Sequence, residues 1–411
     1  MSNKLVEEAG RCLQCKNPRC TGGCPVKTPI KDMIRMFLDG QIQAAGEMLF
    51  KNNPLSLVCS LVCPHERQCE GNCVRGIKEK PVSISEIEHY ISDYYINLLE
   101  PDFKKLPGKK VAIIGSGPAG ITIAIILASR GYDITIFEAH EKIGGVMMYG
   151  IPDFRLPKTI LSRLKVKLLE MGIKIRPNIM IGSVVTIDDL FRDGYKAVFI
   201  GTGVWKPRSL RIKGESLGNV HYAIDYLKNP EVYSLGESLC IIGAGNVAMD
   251  VARTAIREGV RRVTILYRGG MDGITAEKHE VEMAKIDGVV FELYRTPVEI
   301  TDDGVLYLDT AESESDGRQV FAPADEEPKL FRAQSVIIAI SQGPRDYIVS
   351  TTKGITIGSN GLVTTDSFGN TTRPGVFASG DVVTGAKTVV EAVRVSKMVA
   401  DAIDTYVIEN G

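Results

Sequence analysis

Hydrophobic and polar positions change period along the chain. Ile84, Ile87, Ile91, Tyr94 and Leu98 recur at helical spacing and predict an amphipathic helix over residues 85–99. Upstream, Thr28-Pro29 reads as an N-cap followed by Pro at the first helical position, leading into IKDMIRMFLDG. QIQAAGEMLFKNN reads as a second helix, and a turn at Pro54 hands the chain to LSLVCSLVCP. Beyond the connector PDFKKLPGKK the pattern becomes short, wholly apolar runs alternating with helix-length segments. VAIIG, DITIFE, YKAVFIGTG and SLCIIG are the runs, and KTILSRLKVKLLEMG is one of the helices. Buried strands separated by helices predict an α/β protein with parallel sheets. VVFELYRTPVEI, GVLYLDT and SVIIAI then predict an antiparallel excursion, after which GVFASGD returns as strand and turn before a long helix beginning near Lys387.

Val111 to Ala128 is an 18-residue run without a charge, long enough to be read as a membrane span. Pro118 and three glycines inside it fit a turn instead. The run forms Gly115-x-Gly117-x-x-Gly120 after a strand, opens a helix, and is followed by Glu138 at the end of the next strand. This is a nucleotide-binding βαβ unit, in which the glycines allow a tight turn, approach of the pyrophosphate and packing of helix on strand. Glu138 is placed to bond a ribose hydroxyl. A second copy spans 238–267, with Gly243, Gly245 and Ala248 at the turn and Asn246 opening the helix. Two such units predict two dinucleotides. Gly380-Asp381, after a strand and before a helix, reads as a polyol- or phosphate-bonding turn or as an ordinary cap.

The 411 residues suit two or three domains, and 44% hydrophobic with 24% charged residues is ordinary for a globular protein. Lys+Arg 49 against Asp+Glu 50 argues against nucleic acid or an anionic membrane as partner. MSNKLVEEAGRC has no signal-peptide character, so a cytoplasmic protein is expected. Cysteine usage changes the picture, because eight of the 9 lie between Cys12 and Cys73. In a reducing compartment this favours metal or cluster ligation over disulfides. The groups are Cys12-x2-Cys15-x4-Cys20-x3-Cys24-Pro25 and Cys59-x3-Cys63-x5-Cys69-x3-Cys73. Two tetrathiolate zincs or two cubane clusters would fit; the Cys-Pro ending and the neighbouring nucleotide motifs favour iron–sulfur. Glu88 sits on the flank of the Ile84–Leu98 stripe and reads, on its own, as a boundary carboxylate reaching water.

The cysteine runs, GSGPAG, IGGVMMYGIPDFRLPK (143–158), GAGNVAMDVARTA (243–255) and GVFASGD (375–381) together resemble the glutamate synthase small-subunit family. That family also includes the N-terminal half of dihydropyrimidine dehydrogenase and the large subunit of the bifurcating ferredoxin-NADP transhydrogenase. The resemblance implies two Rossmann-like domains on a disulfide-reductase-like flavoprotein plan, preceded by an α-helical domain with two [4Fe-4S] clusters. The implied boundaries are 1–107 for the cluster domain, 108–236 plus 341–411 for FAD, and 237–340 for NAD(P)H. FAD would be held by Gly115, Gly117, Pro118, Ala119, Gly120, Glu138, Gly145, Gly380, Asp381 and the helix start at Thr388. The second coenzyme would lie on Gly243, Gly245, Asn246, Ala248 and Arg268; a single Arg with Asp272 nearby leans toward NADH over NADPH. Carried over from the family, Cys12, Cys15, Cys20 and Cys73 would hold one cluster, and Cys24, Cys63, Cys69 and Glu88 the other, leaving Cys59 without iron.

No side chain is expected to act as a catalytic group, because the cofactors carry the chemistry. The resemblance implies an electron-input subunit that oxidises NAD(P)H through FAD and passes single electrons to a separate catalytic subunit in a hetero-oligomer. That partner is expected to contain an FMN barrel. The loop Arg268-Gly269-Gly270-Met271-Asp272-Gly273-Ile274-Thr275 and the chain length favour an NADH-dependent dihydropyrimidine dehydrogenase. A glutamate synthase small subunit, the bifurcating transhydrogenase and a non-enzymatic redox scaffold remain the alternatives.

Overall fold

The computed structural model describes residues 3–101, 105–315, 318–324, 327–345 and 347–410, the side chains of 312–315, 318–320, 323, 347 and 349 excepted. Residues 102–104 of the expected connector lie outside the described residues. The chain divides into two compact units, one of residues up to Met148, Asp153–Val204 and Pro344 onward, the other of Tyr149–Pro152 and Trp205–Gly343.

The first unit opens with helices that include Ile30–Leu38, Ile42–Asn52, Ser56–Val62 and Ile84–Leu98. Met33, Phe37, Leu49, Ile84, Ile87 and Ile91 form their core. Two local expectations change. Thr28 does not cap its helix: Pro29 occupies the N-cap position, and the Thr28 hydroxyl lies 3.3 Å from Cys24 Sγ. The buried face of Ile84–Leu98 runs through Glu88, Ser92 and Ile96, while Tyr94 and Leu98 face solvent. The cause is the helix Ser56–Val62 packing along that side, where Ser92 Oγ donates to Ser56 Oγ at 3.0 Å.

The same unit holds a five-stranded parallel sheet in the order Val376–Ala378, Ala197–Ile200, Lys110–Ile114, Asp133–Phe137, Lys174–Arg176. The helix Pro118–Ser129 is apolar nearly all round because it lies between this sheet and the helix Val389–Asn410. No helix among the described residues is long and apolar enough to cross a membrane. A short turn of helix, Asp381–Thr384, precedes the long helix, which begins at Val389, near Lys387 as expected. Thr388 Oγ1 accepts from Glu391 N at 3.3 Å, capping that start.

The second unit repeats the plan, in the parallel order Val220–Tyr222, Ser335–Ile338, Ser238–Ile242, Arg262–Leu266, Val290–Glu292. Residues 205–236, expected with the first nucleotide fold, belong here, since Val220–Tyr222 is the edge strand of this sheet. SVIIAI is not part of the antiparallel excursion. Its strand, Ser335–Ile338, is buried within the parallel sheet, as its unbroken apolar run requires. VVFELYRTPVEI divides between a parallel strand, Val290–Glu292, and an antiparallel one, Arg295–Thr301. The latter joins Gly304–Ser315, Arg318–Pro323 and Lys329–Arg332 in a separate sheet.

Candidate nucleotide sites and thiol clusters

In the first unit the turn after Lys110–Ile114 is fixed by backbone contact. Gly115 has φ +98°, and a Cβ there would lie 2.6 Å from Gly201 O. A Cβ on Gly120 would lie 2.0 Å from Gly115 O, so strand and helix meet at the backbone. At Gly117 the nearest atom to a Cβ is Gly201 O at 3.9 Å. That space opens beside the free N–H groups at the start of Pro118–Ser129, the polarity a pyrophosphate needs. Gly145 closes one side, its Cβ position 2.8 Å from Gly117 Cα, and Gly380 approaches Ala119, at 3.1 Å from its Cβ.

Glu138 is buried and already engaged. Oε2 accepts from Ser116 N at 2.9 Å and Ser116 Oγ at 2.5 Å, and Oε1 accepts from His140 N at 2.8 Å and lies 3.0 Å from His140 Nδ1. Burial pushes its carboxyl up, but these bonds outweigh burial and hold it below the ordinary range. Asp381 behaves oppositely: burial pushes it up to about 6, against the pull of Lys387, whose N–H donates to Oδ1 at 3.2 Å.

The second turn repeats the first. Gly243 has φ +121°, its Cβ position 2.5 Å from Ala339 O, and Gly245 faces space bounded by Thr275 Oγ1 at 3.6 Å. Ala248 is fully buried in place of the third glycine. Asn246 Oδ1 accepts from Glu277 N at 2.8 Å, tying the helix start to the following loop. Arg268 is exposed, with its guanidinium 5.1 Å from the centre of the Phe321 ring.

The thiols fall into two groups. Cys12, Cys15, Cys20 and Cys73 wall one hollow, with Ile30, Ile34, Val82 and Ile84 behind them. Burial raises the Cys12 and Cys20 thiols, and the charges of Cys15 and Cys73 at Cys12, and of Cys73 and Cys12 at Cys20, raise them further. Cys24, Cys59, Cys63, Cys69 and Glu88 are a second electrostatic group. Cys63 is raised by a hydrogen bond with Cys59, by burial, and by the charges of Cys59, Glu88 and Cys69; Cys69 is raised by burial and then by Glu88, Glu70 and Cys24. Glu88 is buried rather than at the boundary. It is 7% exposed, makes no hydrogen bond or ion pair among the described residues, and is pushed up to about 8 by burial and by Glu70.

A carboxylate buried without a partner is costly unless a cation completes it. Glu88, in electrostatic reach of Cys63 and Cys69, is a carboxylate of that kind. Among the described residues no three His, Cys, Asp or Glu side chains converge on a single-ion centre. Thiols spread around a hollow match a polynuclear cluster better than tetrahedral zinc, whose sulfurs stand about 2.3 Å from one ion. Cys59 is buried against Cys63, and Cys240 is buried in the strand Ser238–Ile242.

Sequence pattern alone missed three contacts. Gln14 Nε2 donates to Cys12 Sγ at 3.6 Å, and its φ of +47° is the backbone mark of that loop. The Thr28 hydroxyl stands against Cys24 Sγ. Lys397, on the long helix, donates to Asn52 O at 2.7 Å and Asn52 Oδ1 at 3.0 Å, with its ammonium in electrostatic reach of Cys24. The second thiol group thus lies next to the long helix Val389–Asn410, which packs on Pro118–Ser129.

Residues 109–396 match the pyridine nucleotide-disulphide oxidoreductase family, and residues 1–98 match dihydropyrimidine dehydrogenase domain II, 4Fe-4S cluster. The chain is similar to the glutamate synthase (NADPH) small chain of Halomonas elongata, 35% identical over 97% of this chain and 90% of that one. It is similar also to the NAD-dependent dihydropyrimidine dehydrogenase subunit PreT of Escherichia coli O157:H7, 33% identical over 98% and 94%. Among solved structures, Mycobacterium tuberculosis FprA in complex with NADPH shares the fold, with a TM-score of 0.61 and 18% identity over 73% of this chain and 85% of that one.

Proposed function

The chain belongs to the pyridine nucleotide-disulphide oxidoreductase family, in the branch with an N-terminal 4Fe-4S domain that holds glutamate synthase small chains and PreT, and from that premise we propose that it is the electron-input subunit of a two-component enzyme. It is an NAD(P)H-dependent oxidoreductase whose FAD and [4Fe-4S] clusters, when bound, split the electron pair of a hydride into single electrons.

The chain's own residues supply position and field. The turn Gly115–Gly120, with Gly145, Gly380 and Asp381, would hold FAD; Glu138 orders that turn through Ser116. Gly243, Gly245, Asn246, Ala248 and Arg268 would hold the nicotinamide coenzyme. Cys12, Cys15, Cys20 and Cys73 would ligate one cluster, and Cys24, Cys63, Cys69 and Glu88 the other. The observation that carries this reading is Glu88, a buried carboxylate in electrostatic reach of Cys63 and Cys69. Anaerobic NADH should bleach the flavin and bring up two reduced-cluster EPR signals. Glu88→Ala should remove or shift one of them and leave the other. A flavin and clusters that stay oxidised under excess NADH and NADPH would sink the reading.

For the finer assignment, a single Arg268 supports NADH, and near-coextensive similarity to PreT supports dihydropyrimidine dehydrogenase, with substrate reduced on a separate, FMN-containing barrel subunit. The thiol-rich ligand sets fit a reducing, cytoplasmic setting. A glutamate synthase small subunit is the second reading, favoured by the 35% identity to the Halomonas elongata chain. The subunit that co-purifies decides between them, and kcat/KM for NADH against NADPH tests the coenzyme.

A further inference from the structure

All four thiols of the first group are part-exposed, whereas Cys69 of the second is buried. The hollow of the first group opens beside Leu13, Arg19, Lys31 and Arg75. Leu13, between Cys12 and Cys15, is 54% exposed, and Ile77 is 67% exposed at the end of the turn Val74–Ile77. Arg75 Nε ties that turn to the loop by donating to Arg11 O at 2.7 Å.

Charge around the hollow is one-sided, although the whole chain is balanced at net −1. From Arg11 to Arg35 there are six basic residues and one acid, Asp32. Some of this charge is answered locally: Glu8 and Glu79 pair with Arg11, Glu79 with Arg75, and Asp32 with Arg35. Lys16, Arg19 and Lys31 have no carboxylate partner among the described residues. Three unanswered cations therefore stand about an exposed leucine, over the thiol set that lies away from the Lys397 helix.

We propose that this face, centred on Leu13 and ringed by Lys16, Arg19 and Lys31, is the docking surface for an electron-accepting protein whose redox centre is surrounded by carboxylates. The proposal rests on reading the chain as an electron donor. Complementary charge would steer the acceptor and fix its register, and the apolar centre would exclude water between the two redox groups. A nucleic-acid footprint fits less well, since its basic face would not be centred on an exposed leucine over a thiol hollow.

The test is binding to the intact, cofactor-loaded protein, with a small acidic ferredoxin as probe and basic cytochrome c as its opposite. Affinity for ferredoxin should fall steeply as salt rises, as screening requires. Lys16→Glu/Arg19→Glu/Lys31→Glu should weaken it by about tenfold or more, and Lys16→Arg/Lys31→Arg should retain it. Lys16→Glu alone, outside the lining of the hollow, should act in the same direction and serves if the triple variant loses its cluster spectrum. Unchanged affinity in these charge-reversed variants, or equal binding of cytochrome c, would overturn the proposal. Flavin bleaching by NADH is scored separately. Its failure removes the electron-donor reading while the binding result still decides whether this is a docking face.

Discussion

The two nucleotide-binding units share a turn but differ in how much freedom it has. Both first glycines have positive φ and meet a carbonyl oxygen from the neighbouring strand's end, Gly201 O at 2.6 Å and Ala339 O at 2.5 Å. Both second glycines face open space. At the third position the first unit leaves 2.0 Å to Gly115 O, whereas the second accommodates a real methyl group on Ala248. The first turn is also locked from behind by Glu138, while the corresponding end of the second unit's strand offers an exposed Arg268 on Phe321. A tightly built turn suits a ligand that stays, and a looser one suits a coenzyme that exchanges.

The strongest way to break this contrast is to exchange the third residues. Gly120→Ala forces a methyl group against backbone that cannot yield cheaply, a cost of about 1–3 kcal/mol. The variant should purify with at most about a tenth of the FAD of the parent, read from its visible spectrum. Ala248→Gly should keep FAD and lose about 1–2 kcal/mol of stability, from helix propensity and from the buried methyl group it removes. Full flavin content in Gly120→Ala would show that the first turn is not the tighter one.

Next in size is Glu138→Gln. The amide cannot accept from both Ser116 and His140, and each bond to the charged group is worth about 1.5–3 kcal/mol. FAD retention and thermal stability should both fall. The pH dependence has a definite sign: because the folded-state carboxyl is held below 4.5, its contribution is complete above that value and is lost as pH falls through the lower, folded value. Release of FAD on acidification should therefore begin below pH 4.5 in the parent and, in Glu138→Gln, lose this component. Equal acid release in parent and variant would remove Glu138 from the account.

The glycine turns and cysteine runs were legible in the sequence because their spacing is the geometry. Three kinds of fact were not. Helical periodicity placed Glu88 on a flank, and only the packing of Ser56–Val62 made that flank interior. An apolar strand such as SVIIAI carries no mark of which sheet it joins, so its place beside Ser238–Ile242 required the fold. Thr28 looked like a cap because its local sequence suited one, and a tertiary contact with Cys24 took its hydroxyl instead. The grouping of thiols across the two runs came from family resemblance, since regular spacing would have enlisted Cys59.

A smaller effect sharpens the other side of the comparison. Arg268→Ala removes an exposed cation from the second unit, where such a contact is worth about 1 kcal/mol. KM for the nicotinamide coenzyme should rise about fivefold, with FAD content unchanged. A loss of FAD in this variant would contradict the separation of the two sites.

The smallest effect concerns what holds Arg268. Phe321 lies on Arg318–Pro323, in the antiparallel sheet that follows the second nucleotide motif, and its ring also fills the space a Cβ on Gly269 would need, at 2.9 Å. The excursion from the parallel sheet thus reaches back to the loop that follows the strand Arg262–Leu266. Phe321→Leu keeps volume but removes the ring face, so KM for the coenzyme should rise only about twofold, the lower end of an exposed cation–π contact. If the ring acts by positioning the guanidinium, Arg268→Ala/Phe321→Leu should be no worse than Arg268→Ala alone, because the second change has nothing left to release. Additive effects in that double-mutant cycle would mean that Phe321 and Arg268 serve the coenzyme independently, and the looser unit would then be built from separate contacts rather than one supported arginine.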